Sequence, residues 1–157
     1  MTATHTWPAT PTRTEANAVA RVRTDPAYAA FWLLRIGFGA VPIIAGIDSY
    51  SNKLVDWREY LWVGVTNNLH LSATTFMHVA GGVEIAAGLL VLFAPRVGAI
   101  VLAAWLTGIV VNMLLLAHDE HEYWDIALRD AGLAVGAVAL ALLAWNYDSH
   151  HARQQRS

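Results

Sequence analysis

The sequence predicts an all-α membrane protein: a four-transmembrane-helix antiparallel bundle with a short interfacial helix in the first outer loop. Three observations carry that expectation. Of 157 residues, 56% are hydrophobic and only 14% charged, whereas soluble domains carry about 25% charged residues. Four apolar segments, at 28–48, 72–93, 97–117 and 125–145, each supply the roughly 20 residues needed to cross a bilayer. Three residues, Ala94, Pro95 and Arg96, separate the second and third segments, so those two must form an antiparallel hairpin.

In chain order, residues 1–27 are rich in Thr, Ala and Pro, include Arg13, Arg21 and Arg23, and lack the apolar stretch of a signal peptide. They are expected to form a mobile tail. Residues 28–147 form the membrane domain and 148–157 a second tail. The first span contains Pro42, which removes one backbone hydrogen bond and is expected to kink the helix. The first connection, 49–71, sets Trp57, Tyr60, Leu61 and Trp62 beside Lys53, Asp56, Arg58 and Glu59. That mixture predicts a helix lying in the interface with its aromatic side toward lipid. Small residues in the second span (Gly81, Gly82, Ala86, Gly88) and the fourth (Gly132, Gly136) would let helices approach closely.

Orientation follows from the basic residues. Arg13, Arg21, Arg23, Arg96, Arg153 and Arg156 collect on one side, and only Lys53 and Arg58 on the other. Positive charge stays inside, so both termini are expected in the cytoplasm of a cell's inner (plasma) membrane. Trp32 and Trp145 would mark the inner interface, Tyr123 and Trp124 the outer one.

The polar residues inside the spans are the candidate functional groups. Arg35 and Glu84, on consecutive antiparallel helices, fall about 10 and 13 Å from the inner ends of their segments and are expected to pair. An outer layer holds Asp48, His78, Asn112, Arg129 and Asp130. Arg129 is expected to reach Asp48, because Asp130 points about 100° away around the helix. These groups serve either as structural clasps that neutralise one another or as the lining of a polar site for a small molecule, a quinone headgroup or a proton. Among them His78 is the candidate of interest, as the one imidazole of that layer. His78 and His118 are the sole imidazole pair that could approach a haem. His118, His121 and Glu122, with Asp119 and Glu120, are candidate divalent-metal ligands.

The chain has no cysteine and a net charge of −2, which excludes disulfides, thiol catalysis and thiolate metal sites and argues against nucleic-acid binding. No nucleophile–base arrangement or phosphate-binding loop is present, so the protein is not expected to be an enzyme on its own.

Several stretches resemble the DoxX-like membrane proteins: 35–39 (RIGFG), 42–46 (PIIAG), 54–57 and 60–61 in the first loop, 82–84 and 88–90 in the second span, 95–99 (PRVGA), and 127–134 (ALRDAGLA). The resemblance extends over 31–145. It implies a four-helix bundle serving as an accessory or anchoring subunit of a membrane-associated, quinone-linked oxidoreductase complex, in contact with lipid and with other subunits. The family's usual basic residue after the PIIAG-like stretch is replaced here by Asp48-Ser49-Tyr50. A small transporter or permeation path for a solute, proton or metal through the outer polar layer is the competing expectation.

Overall fold

The computed structural model describes residues 24–120 and 122–154, excluding the side chains of 119, 120 and 148–154. The tail expected at 1–27 and the candidate ligand His121 therefore lie largely or wholly outside the described residues. All regular structure among them is helical. From Pro26 onward the described residues form five α-helices in succession: α1 (Pro26–Ser51), α2 (Val63–Leu69), α3 (Ala73–Phe93), α4 (Pro95–Glu120) and α5 (Trp124–Gln154), with a 3-10 turn at Trp57–Tyr60 before α2. α1, α3, α4 and α5 are long and apolar enough to cross a membrane. The protein is thus an integral membrane protein, with four candidate spans among the described residues.

Local signals set the boundaries. α1 starts at Pro26, a residue suited to the first helical position, and Asp25 caps it by accepting from the Ala27 and Tyr28 N–H groups. The helix continues through Pro42 and stops at Asn52, which adopts a left-handed conformation (φ 46°). Ser72 caps α3 through the Thr75 N–H. Ala94 alone separates α3 from α4, because Pro95 already opens the next helix. α5 runs past the predicted end of the fourth span and continues to Gln154.

The helices associate as two pairs, α1 with α3 and α4 with α5, joined mainly across α3–α4. The α1–α3 seam rests on glycines spaced seven residues apart, Gly39 and Gly46 facing Gly88 and Gly81. A Cβ on Gly88 would sit 2.5 Å from the Gly39 carbonyl oxygen, and one on Gly81 2.7 Å from that of Gly46. Only glycine permits such backbone contact. The α5 glycines do less: Gly132 faces open space, and Gly136 meets the Phe38 ring.

Two ends can be distinguished. At the terminal end, α1 begins, α5 finishes and α3 turns into α4. At the loop end lie the first connection and the link from α4 to α5. The main core cluster includes Phe31, Ala87, Val91, Ala99, Leu102, Leu140 and Ala144 and occupies the terminal half. A smaller cluster of Met113, Leu116 and Ala127 sits at the loop end under Tyr60, Trp62 and Tyr123. Leu33, Ile36, Val41, Ile44, Val79, Phe93, Leu128, Val135 and Leu142 are exposed. So wide an apolar girdle is suited to lipid contact and not to water.

The first connection departs from the expected aromatic-out helix. Its aromatics turn inward. The Trp57 indole N–H donates to Asp48 Oδ2 at 2.9 Å, and the Tyr60 ring packs edge-on against Tyr123 at 5.7 Å. The hydrogen bond to buried Asp48 draws the polar edge of the Trp57 ring inward, and the Tyr60 ring is held by its contact with Tyr123.

Candidate functional site

Between the two core clusters lies a cavity of about 380 Å³, within the roughly 300–1,000 Å³ of small-molecule sites. α3 contributes Phe76, Met77 and Glu84; α4 contributes Trp105, Asn112 and Met113; α5 contributes Arg129 and Asp130; and Trp57, Tyr60 and Leu61 cover it from the first connection. The walls are mostly aromatic, aliphatic or thioether, with a few converging polar groups.

Glu84 is half-buried, and no arginine or lysine among the described residues pairs with it. The Trp105 indole N–H lies beside its carboxylate, short of hydrogen-bond geometry, and is buried with no hydrogen-bond partner among the described residues. Asp130 is buried on the facing side, its Oδ1 3.0 Å from Arg129 Nε, while the Arg129 side chain is 67% exposed. The cavity therefore combines an unmet N–H donor with two carboxyl groups, only one of which has a cation partner.

The expected Arg35–Glu84 pair does not form. Arg35 donates to the Leu92 carbonyl, one of the last carbonyls of α3 and thus free of an intrahelical partner. Its guanidinium lies 4.9 Å from the Trp32 ring centroid. The glycine seam is the cause. It aligns Gly39 with Gly88 and Leu92, which leaves Glu84 about two helical turns, or about 12 Å, from the level of Arg35.

The expected Asp48–Arg129 pair is absent too. Asp48 is buried and bound locally, accepting from the Lys53 and Leu54 N–H groups at 3.0 and 3.2 Å, from Ser51 Oγ at 3.1 Å and from Trp57 Nε1. Arg129 folds back onto its neighbour Asp130 because its long side chain spans the angle that separates their Cα–Cβ directions.

The remaining outer-layer residues divide by role. Asn112 clasps the first connection to α4, donating to the Tyr60 carbonyl at 2.7 Å and accepting from the Trp62 N–H at 3.1 Å. His78 stacks on Tyr50 at 4.9 Å and its carbonyl accepts from the Tyr50 hydroxyl; it is not among the cavity-lining residues. His118 and Glu122 are exposed near the α4–α5 link, and no three candidate metal ligands cluster among the described residues. His118 and His78 do not share the cavity.

Sequence reasoning missed Trp105. Its signal was position: tryptophans of membrane proteins favour the interfaces, and this one lies in the middle of α4. Comparison with protein-family models, curated proteins and solved structures found no match to this chain.

Proposed function

We propose that the protein is an accessory membrane subunit that holds the ring of a quinone-type molecule in the loop-end cavity, on behalf of a membrane-associated oxidoreductase. The observation that carries this reading is the unmet Trp105 N–H beside two carboxyl groups inside an aromatic-walled space. In the oxidised form a ring carbonyl accepts from Trp105 Nε1, and in the reduced form the ring hydroxyls donate to Glu84 and Asp130. Trp57 and Tyr60 offer flat faces to the ring. The quinone supplies the electron chemistry, and this chain supplies binding, orientation and proton acceptors. The resemblance to DoxX-like proteins points the same way.

A photoreactive short-chain quinone added to proteoliposomes tests it. Labelling is expected on cavity residues, competed by unmodified quinone and weakened about tenfold by Trp105→Phe, the loss of one buried hydrogen bond of about 1.4 kcal/mol. Labelling elsewhere on the chain, or labelling insensitive to Trp105→Phe and Asp130→Asn, would refute it.

A second reading, a permeation path for a proton or small solute, draws on Glu84, a carboxyl at membrane depth with no cation paired to it among the described residues. Flux in proteoliposomes that stops on Glu84→Gln would favour it over the first.

Both readings place the loop end outside the inner membrane, with both termini cytoplasmic, as the arginines predict. Since the chain has no cysteine, a single cysteine at Glu122 should react with an impermeant thiol reagent on intact cells, and one at Gln154 should not. The opposite labelling would invert the orientation.

A further inference from the structure

At the terminal end, away from the cavity, a cleft of about 560 Å³ opens where the start of α1, the α3–α4 turn and the far part of α5 converge. Tyr28, Trp32, Arg35, Arg96 and Tyr147 line it. Two guanidinium groups thus share one concave surface with aromatic walls, at the level where the apolar spans end.

Arg35 is incompletely used. A guanidinium carries five N–H donors, and this one donates to Leu92 O and lies over the Trp32 and Phe31 rings. No carboxylate among the described residues pairs with it. Arg96 stands across the cleft, donating to the Trp145 carbonyl at 3.2 Å. The nearest carboxylate on α1, Asp25, is committed to the helix cap and to the Tyr147 hydroxyl at 3.4 Å.

We propose that this cleft binds the phosphate of an anionic phospholipid headgroup. Arg35 and Arg96 donate to the phosphate oxygens; Trp32, Tyr28 and Tyr147 wall the headgroup. The acyl chains lie along the exposed apolar surface of α1 and α3 near Ile36 and Phe93. A soluble phosphate would meet the same donors, but it would leave that apolar surface uncovered.

The test uses the full chain in nanodiscs of phosphatidylcholine alone or with phosphatidylglycerol added, and reads lipid retention by native mass spectrometry. Selective retention of phosphatidylglycerol is expected. Arg35→Gln should weaken it about fivefold, in line with the roughly 1 kcal/mol that one basic residue contributes near an anionic surface. Arg35→Lys should keep part of it. Should Arg35→Gln fail to fold, competition on the unmodified protein decides instead: millimolar inorganic phosphate should not displace the lipid. Equal retention of both lipids, no effect of Arg35→Gln, or full displacement by inorganic phosphate would each overturn the assignment.

Discussion

In the terminal half, the helices meet on small side chains. Ala87, Ala99, Ala137, Ala141 and Ala144 surround Val91, Leu102 and Leu140, all of them buried. In the loop-end half, the same α3, α4 and α5 hold Glu84, Trp105 and Asp130 between them and leave a cavity. Identical helices thus make a filled layer and a hollow one, depending on what projects between them. Without a strong hydrophobic force between helices in lipid, packing contacts decide the closed half. The open half is held in place instead by directed hydrogen bonds that Asp48 accepts and that Asn112 donates and accepts.

The contrast can be broken most severely at the glycine seam. Gly46→Leu would drive its side chain into α3, where a Cβ alone would already lie 2.8 Å from Ile85 Cγ1. The expected cost is at or above the roughly 1–3 kcal/mol of ordinary overpacking, read as loss of the monodisperse folded species in detergent. Leu140→Ala should come next. Leu140 is fully buried, and such truncations cost about 2–5 kcal/mol, measurable by reversible unfolding in mixed micelles. A substantially smaller loss would mean that the terminal half is not the tightly packed layer.

Asn112→Ala tests the other half. It leaves the Trp62 N–H and the Tyr60 carbonyl without their partner, a change worth about 1–3 kcal/mol. Amide hydrogen exchange should rise across the first connection while the terminal half keeps its protection. Uniform loosening would show that the two halves do not behave independently. The smallest effect belongs to Asp56. The Arg58 guanidinium beside it (2.6 Å) holds its carboxyl below the usual range. What this contributes is fully present above the carboxylate range of an unfolded chain and fades as pH falls through the lower, folded value. Asp56→Asn should leave the unfolding midpoint nearly unchanged at neutral pH, since the pair is exposed, and should flatten the acid-side slope of the first connection's exchange.

The two halves also differ in how legible they were. The number of spans, the hairpin at Pro95 and the membrane class follow from hydropathy and length, which act segment by segment. Register does not. Counting Arg35 and Glu84 inward from the ends of their apolar segments put them at one depth, but the α1–α3 alignment comes from backbone contact at Gly39, Gly46, Gly81 and Gly88. Those glycines were visible in the sequence, yet their seven-residue spacing on both helices, and not the four-residue spacing in α5, marked the seam. Asp48 was misassigned for a related reason. A carboxylate at a helix end finds nearby N–H groups before it finds a cation across the bundle, and here Lys53, Leu54 and Trp57 satisfy it.

The way the first connection is fastened bears on how the protein could diversify. Asp48 grips the main-chain N–H groups of Lys53 and Leu54, and Asn112 grips the main chain of Tyr60 and Trp62. Most of these fastenings read no side chain, Ser51 Oγ and Trp57 Nε1 being the exceptions. The lid can therefore exchange the residues it turns toward the cavity, Tyr60 and Leu61 among them, and keep its posture. Anyone wishing to give this bundle a different guest could vary those positions as a library while leaving Asp48 and Asn112 untouched.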